Sequence, residues 1–516
     1  MYPLSRVLQR AVALYPDRVA VVDGAVRLSY RRLGERVYRL AAALRGLGLK
    51  PGDRVAMLDW NSHRYLEAYY ACAHAGVAFM PVNSRLALPE LRYVLRDSSA
   101  RALLFSEPFL PMYEELKAHL EFGVGLALPK PFAGTADYES ILSDAAPMPA
   151  PAATGLDEIM QIYYTSGTTG EPKGVCLTNR NMFCGGLDGA LATQATREDR
   201  WQHSGPLFHL ATSFAVWTMP LVGGAQVCIH FDPKRALQSI ASEKVTMTSL
   251  PGAILGMMAD QPQAADSLAS LRVIVYGGSP TPLGVLRRAA ATFPPALSHA
   301  YGITETAGYV TCLGPADHVF EGDAQQVART ASAGQATPLI DVRIVDDEGR
   351  DLPAGQVGEV VCGGPKVMAG YWRKPEATAA ALRDGWYHTG DMGSLDEQGY
   401  LTLVDRKKDM IITGGENVYS VEVESVLSLH PAVAEVAVIG VPDERWGEAV
   451  TAIVVPRPGA SPTAEELIAF CRGRIAGYKV PKQVHFRADA LPKTGPGKIA
   501  KRVLRDPFWQ NAARKI

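Results

Sequence analysis

The chain has 516 residues, of which 47% are hydrophobic and 20% charged, and its formal net charge is −1. That length exceeds what one hydrophobic core supports, so two or more domains are expected. The near-neutral balance excludes bulk electrostatic attraction to nucleic acid as the basis of function. Seven cysteines, at 72, 176, 184, 228, 312, 362 and 471, form no Cys-x-x-Cys pair and read as reduced core thiols of a cytoplasmic protein.

Residues 1–18 carry charges inside their apolar stretch, which argues against a signal peptide. Residues 54–59 (RVAMLD) read as a strand, 64–75 as a helix, 77–82 (VAFMPV) as a strand, 88–95 as a helix and 102–105 as a strand. Residues 161–164 read as a buried strand end. The apolar run 214–231 contains Pro220, Gly223, Gly224 and Gln226, so a buried helix followed by a strand is expected there rather than a membrane span. A peripheral membrane contact stays open. Residues 273–276 (VIVY) repeat the strand pattern before Gly277-Gly278, and 283–291 read as a helix. Alternation of this kind predicts α/β layers with parallel strands.

From 342 to 403 short β-like runs are separated by turns at 346–349 and 397–399, which predicts a small β-rich subdomain. The cluster Asp405-Arg406-Lys407-Lys408-Asp409 follows, then a helix at 420–429 and a strand at 433–439. The expected division is therefore 1–405 and 406–516, with a hinge near 405–409.

The chemistry concentrates first in residues 164–175, YTSGTTGEPKGV. Thr165, Ser166, Thr168 and Thr169 supply hydroxyls, Gly167, Gly170 and Gly174 free the backbone, and Lys173 adds a mobile charge. Backbone N–H groups, hydroxyls and an ammonium together make a phosphate cradle. The spacing is not that of the kinase-type loop, and by itself the segment is compatible with a plain flexible turn. Further segments are Pro206-Leu207-Phe208-His209, Tyr301-Gly302-Ile303-Thr304-Glu305, Tyr387-His388-Thr389-Gly390-Asp391, Asp405 to Asp409 running into Gly414-Gly415, and Leu491 to Lys498 (LPKTGPGK).

In this order, from about Ser29 to Arg505, these segments resemble the adenylate-forming superfamily of acyl-CoA synthetases, aryl-CoA ligases, luciferases and peptide-synthetase adenylation domains. The chain looks most like bacterial fatty-acyl- or aryl-CoA ligases. The resemblance implies an α/β fold: a large multi-layer N-terminal domain, of two α/β subdomains plus a small β-rich one, and a small mobile α+β C-terminal domain. It implies ATP, Mg²⁺ and coenzyme A as the reacting partners. In the family a carboxylate attacks the α-phosphate of ATP to give acyl-AMP and pyrophosphate, and the CoA thiol then displaces AMP.

Carried over by position, Thr165, Ser166, Gly167, Thr168, Thr169, Gly170 and Lys173 would hold the β- and γ-phosphates. Lys498 would bridge carboxylate and α-phosphate, Thr304 would bond the α-phosphate, and Glu305 would ligate Mg²⁺. Tyr301, with Gly302 beside it, would stack on adenine, and Gly277, Gly278 and Ser279 would close that pocket. Asp391 would accept from the ribose hydroxyls and Arg406 would donate to the ribose. Lys408 matches the hinge about which family members rotate the C-terminal domain between half-reactions. Gly414 and Gly415 would line the pantetheine tunnel, and His209 would gate carboxylate and thiol.

Other readings compete. An amino-acid-activating relative would carry an aspartate near the start of 209–214 and a carrier-protein attachment site, and neither is present, although a stand-alone enzyme loading a carrier protein stays open. A catalytically silent nucleotide-binding homologue would have lost a charged catalytic residue, yet Lys498, Glu305, Asp391 and Arg406 are all present. A light-emitting or oxygenating relative is neither supported nor refuted. Ala211, Thr212, Ser213, Phe214 and Trp217 carry no charge and suit an apolar substrate tail. A medium- or long-chain fatty acid is expected, with an aromatic acid of the hydroxycinnamate type as the rival. The remaining histidines have no ligand spacing, so no zinc site is expected. The oligomeric state is left open, a homodimer included.

Overall fold

The computed structural model describes residues 1–118, 124–128, 136–165, 171–261, 268–278, 281, 283–293, 296–407, 409–414, 416–443, 445–493 and 499–509. Among them, an eight-stranded sheet runs in the order Gly370–Tyr371, Lys173–Thr178, Ile159–Thr165, Ala78–Pro81, Arg54–Leu58, Ala102–Ser106, Val124–Leu128 and Ala136–Asp137. A nine-stranded sheet runs Gln335–Ala336, Gly308–Leu313, Leu297–Ile303, Val273–Gly277, Met247–Ser249, Arg200–His203, Ala225–Cys228, Val19–Asp23 and Val26–Ser29. The central pairings are parallel, as the alternation of apolar runs and helices predicts.

Burial explains why those strands read as unbroken apolar runs. In Arg54–Leu58, Val55 and Met57 belong to one core cluster while Ala56 and Leu58 belong to another. A strand covered on both faces needs apolar residues at every position. The first cluster takes side chains from both large sheets, among them Val21 and Leu28 from one and Val55, Phe79 and Val175 from the other. Helices Tyr30–Gly46, His63–Ala75 and Asn179–Thr193 contribute to the same cluster and form the layer it fills.

Every residue of His63–Ala75 except Arg64 is buried. Its Glu67 carboxylate is met there by Arg36 Nε at 2.6 Å and Tyr138 Oη at 2.5 Å, so the buried charge is paired and hydrogen-bonded. The helix starts one residue before its predicted limit because Ser62 caps it, its side chain accepting from Tyr65 N at 3.3 Å. Helix Asn179–Thr193 opens with a Thr178–Asn181 capping box and presents Gly185, Gly186 and Gly189 to its neighbours. A Cβ at Gly185 would collide with the Ala307 carbonyl oxygen, so the helix lies flush against the turn that carries Glu305.

The run 214–231 forms the expected helix, Ala215–Val222, and strand, Ala225–Cys228. Within 341–406, where a small β-rich subdomain is expected, the strands Asp341–Val345, Gly358–Gly363, Trp386–Leu395, Leu382–Arg383 and Leu401–Arg406 form a five-stranded sheet, while Gly370–Tyr371 pairs into the eight-stranded one and Pro375–Ala381 is a helix. Six cysteines are buried, and Cys312 is half-buried rather than in a core; all seven are free. Among the described residues no helix is long and apolar enough to cross a membrane.

Contacts divide the chain into two compact units. One comprises Met1–Thr281, Arg287–Val342 and Cys362–Tyr387; the other comprises Pro282–Leu286, Arg343–Val361 and His388–Ile516. In the second unit the strands Glu416–Val418, Ile411–Thr413, Gly447–Pro456, Val433–Asp443 and Gln483–Phe486 form a sheet. Val433–Asp443 extends past the predicted 439 because it pairs with Gly447–Pro456 along its whole length. Val436 and Val438 face helices Ser420–Ser428 and Ala464–Cys471, and Ala437 and Ile439 share a cluster with Leu504 of helix Lys501–Trp509.

Candidate active site

In the first unit, strands Ile159–Thr165 and Lys173–Thr178 form an antiparallel hairpin whose last described pair is Thr165 with Lys173. Ser166, Gly167, Thr168, Thr169 and Gly170 of the predicted cradle lie outside the described residues, as do Ser279, Lys408, Gly415 and Lys498. On the outer edge of the hairpin sits Gly370–Tyr371, with Tyr371 paired to Val175. This register brings the Lys173 ammonium to 5.0 Å from the centre of the Tyr371 ring, within cation–π reach.

Tyr371 Oη donates to Glu305 Oε1 at 2.9 Å and accepts from the Tyr387 hydroxyl. Burial, reinforced by the Glu305 charge, pushes both phenols above their ordinary range, so both stay protonated donors at neutral pH. The relay Tyr387 to Tyr371 to Glu305 thus fixes a half-buried carboxylate close to a lysine. Neither tyrosine carried a role in the sequence reading; the signal was available in a glycine–aromatic pair (Gly370-Tyr371) and in the aromatic that precedes His388.

Glu305 lies in the single 3-10 turn Thr304–Thr306 that follows strand Leu297–Ile303, and its carbonyl accepts from Met368 N at 2.8 Å. Tyr301 is 9% exposed, and the pairing slips between Tyr301 and Gly302. Gly277 ends the adjacent parallel strand opposite Ala300 with φ +155, and a Cβ there would collide with the Ala300 carbonyl oxygen. Gly277, Gly278, Tyr301, Gly302, Thr304 and Glu305 therefore gather at the carboxyl ends of neighbouring strands, the usual ligand edge of a parallel sheet.

His209 is half-buried at the start of the short helix Leu210–Ser213. A chain of hydroxyls anchors that helix: Ser213 Oγ meets Tyr163 Oη at 3.0 Å, Tyr163 meets Tyr69 Oη at 2.9 Å, and Tyr69 donates to Leu207 O at 2.7 Å. Tyr163 belongs to the hairpin strand, so His209 and the hairpin that carries Thr165 and Lys173 share one buried scaffold. Phe214 and Trp217, expected to wall a substrate tail, are each 1% exposed. Phe214 packs on Trp201 and Tyr309, and Trp217 packs edge-on to Tyr70. Both are already committed to the core.

The second unit holds Asp391 and Arg406 as a register pair on adjacent strands, with Arg406 Nε 3.2 Å from Asp391 Oδ1. Asp391 N donates to Thr389 Oγ1 at 2.9 Å, and Gly390, at φ +70, donates to Glu359 Oε1 at 3.2 Å. Lys407 is turned away to Asp347 at 2.7 Å, and these hydrogen-bonded contacts raise its pKa. Asp405 accepts from the backbone and side chain of Ser420, which ties the predicted boundary to the start of helix Ser420–Ser428. Gly414, at φ +59, donates to Trp446 O at 2.7 Å, and a Cβ there would sit 2.9 Å from the indole. Trp446, 37% exposed, carries Arg445 at 4.7 Å and Lys482 at 5.8 Å, and Tyr478, 40% exposed, carries Lys479 at 5.7 Å. Exposed rings flanked by cations suit a base and its phosphates; the sequence reading passed over them.

Among the described residues no three metal-ligating side chains come together. A lone carboxylate such as Glu305 fits Mg²⁺, which keeps most of its coordination for water and phosphate oxygens.

Comparison with known proteins agrees with this geometry. The AMP-binding enzyme family matches residues 8–372, and the AMP-binding enzyme C-terminal domain matches residues 422–498. A feruloyl-CoA synthase of Amycolatopsis sp is 41% identical over 97% of this chain and 98% of its own. A fatty acid–[acyl-carrier-protein] ligase of Streptomyces coeruleorubidus is 38% identical over 97% of this chain and 95% of its own. The structure of o-succinylbenzoate CoA synthetase from Bacillus subtilis, in complex with its acyl-adenylate intermediate, superposes with a TM-score of 0.85 at 31% identity, covering 100% of this chain and 99% of that one.

Proposed function

Since the chain belongs to the AMP-binding enzyme family of the adenylate-forming superfamily and is an AMP-forming acid–thiol ligase, we propose that it joins an apolar carboxylic acid to coenzyme A at the expense of ATP. The observation that carries the site assignment is the array of Lys173, Tyr371 and Glu305, a cation and a carboxylate held by one tyrosine.

In the first half-reaction a carboxylate oxygen of the acid attacks the α-phosphorus of ATP. The bond to the oxygen bridging α- and β-phosphorus breaks, and pyrophosphate leaves. Two anions meet, so positive charge at the phosphates lowers the barrier. Lys173, with the loop 165–170, holds the β- and γ-phosphates. Glu305 would hold Mg²⁺, and the ion would supply charge neutralisation at the phosphates. Thr304 bonds the α-phosphate, Lys498 bridges it to the carboxylate, and Tyr301 stacks on adenine in a pocket closed by Gly277 to Ser279. Asp391 accepts from the ribose hydroxyls, and its partner Arg406 donates to the ribose.

In the second half-reaction the thiol sulfur attacks the acyl carbonyl carbon, its proton passes to solvent and AMP leaves. We assign the thiol's path to Gly414 and Gly415, the CoA base to the rings of Trp446 or Tyr478, and the gate to His209. The functional division falls at 405–409, with Lys408 as the hinge.

For the acid, a planar aromatic of the hydroxycinnamate type is supported by the 41% relative, named as a feruloyl-CoA synthase. A medium- or long-chain fatty acid is the second reading, supported by the 38% relative, whose acceptor is a carrier protein. The test is incubation with ATP, Mg²⁺ and each acid without CoA. Acid-dependent release of pyrophosphate with enzyme-held acyl-AMP is expected for hydroxycinnamates. Release that ignores which acid is present would overturn the reading.

A further inference from the structure

Lys366 is fully buried and has no part in the reaction described above. Its ammonium donates to the Asp188 carboxylate and to the Tyr309 carbonyl, and lies 3.2 Å from Thr337 Oγ1. Asp188, on helix Asn179–Thr193, also accepts from Thr337 Oγ1 at 2.5 Å and from Leu339 N at 3.2 Å. A buried ion pair carries a desolvation penalty that well-packed apolar residues of equal volume avoid, so stability alone is a weak reason for one.

The surroundings supply another. Asn181, on the same helix, donates from Nδ2 to the carbonyls of Pro365 at 2.9 Å and Val367 at 2.7 Å, the residues on either side of Lys366. One residue further, Met368 N donates to the Glu305 carbonyl. Tyr309, whose carbonyl Lys366 holds, lies on the strand Gly308–Leu313 that leaves the Glu305 turn. Between them Ala307, at φ +52, abuts Gly185 of the helix. The turn is therefore gripped at Glu305 itself and four residues after it, at Tyr309, by one short segment, 365–368, and that segment is clamped to the helix by Asn181 and Asp188.

We propose that Lys366 and Asp188 form a positioning pair that fixes the Thr304–Thr306 turn, and with it the Glu305 carboxylate, for metal-bound nucleotide. This rests on the assignment of Glu305 to Mg²⁺ above. The pair acts through the Tyr309 carbonyl and touches no substrate. Removing Lys366 strands the Asp188 charge and frees that carbonyl, while removing both charges repairs the first defect only.

The test compares Lys366→Met with Asp188→Asn/Lys366→Met by calorimetric titration with MgATP and with ATP in EDTA, alongside thermal melting. Loss of a partner behind a metal ligand typically lowers metal affinity by about 10- to 100-fold. The single variant is expected to melt lower and to lose MgATP affinity in that range, with metal-free ATP unchanged. The double variant is expected to recover its melting temperature but not its MgATP affinity. Recovery of both together, or equal weakening of MgATP and metal-free ATP, would overturn the proposal. The double variant decides the matter even where the single one does not fold. A wild-type protein with no preference for MgATP over metal-free ATP would overturn the Glu305 assignment itself, a result distinct from variants that bind as the wild type does.

Discussion

Replacing Tyr371 by Phe isolates one oxygen. The ring that lies 5.0 Å under the Lys173 ammonium stays, and with it the cation–π contact, while the 2.9 Å hydrogen bond to Glu305 Oε1 is lost. A hydrogen bond to a charged acceptor contributes about 1.5–3 kcal/mol net. If that contribution orients the carboxylate in the transition state, the variant loses roughly 10- to 100-fold in kcat/KM for MgATP, at about 1.4 kcal/mol per factor of ten. Tyr387 loses its acceptor as well, so a modest fall in melting temperature accompanies the kinetic change. The assay is initial-rate pyrophosphate release at varied MgATP with the acid saturating, and KM for the acid serves as the control. An unchanged kcat/KM for MgATP, or a loss confined to the acid, would refute the reasoning.

Other outcomes follow from the same geometry. Asp391→Ala removes the proposed ribose acceptor and its contact with Arg406; it is expected to raise KM for ATP while leaving KM for the acid alone, as initial rates will show. Lys498→Ala is expected to abolish acyl-AMP formation yet spare thioester formation from supplied acyl-AMP, and equal loss in both steps would count against a lysine that acts once. Burial holds the imidazoles of His203 and His299 neutral, with pKa values of about 4. In an unfolded chain they titrate near 6.5. The unfolded state therefore binds more protons between those values, and stability falls as pH drops from about 6.5 to 4, by up to about 3 kcal/mol per imidazole. Urea unfolding of the wild type and His203→Gln at pH 7 and pH 5 checks this, and the variant should show the shallower pH dependence.

What the sequence reveals about this fold depends on how local the cause is. Strands such as Arg54–Leu58 and Val273–Gly277 are legible because burial on both faces demands continuous apolar residues. The 17-residue helix Tyr30–Gly46 was passed over, although Ser29 caps it, because its arginine-rich surface positions hide a buried stripe of Leu33, Val37, Leu40 and Leu44. At the site, the positions proposed to bear chemistry fall in short motifs that the sequence displays one by one. Their supports are not: Tyr371 reaches Glu305 across 66 residues, and Lys366 reaches Asp188 across 178. A lysine in a sequence reads as solvated, and only the tertiary structure shows that Lys366 is buried against a carboxylate. Phe214 and Trp217 show the opposite error, since apolar residues that follow the proposed gate His209 read as pocket wall when neighbouring helices and strands already cover them.

The claim at the centre is that an acid is activated as its adenylate and passed to coenzyme A. Mass spectrometry of the products after incubation with ATP, Mg²⁺, CoA and a mixed pool of acids, from acetate to palmitate with benzoate and hydroxycinnamates, tests it most directly. The account predicts AMP, pyrophosphate and the CoA thioester of an apolar acid, with hydroxycinnamates preferred. Acyl-AMP that accumulates without any CoA thioester, or a pool returned unchanged, would contradict it.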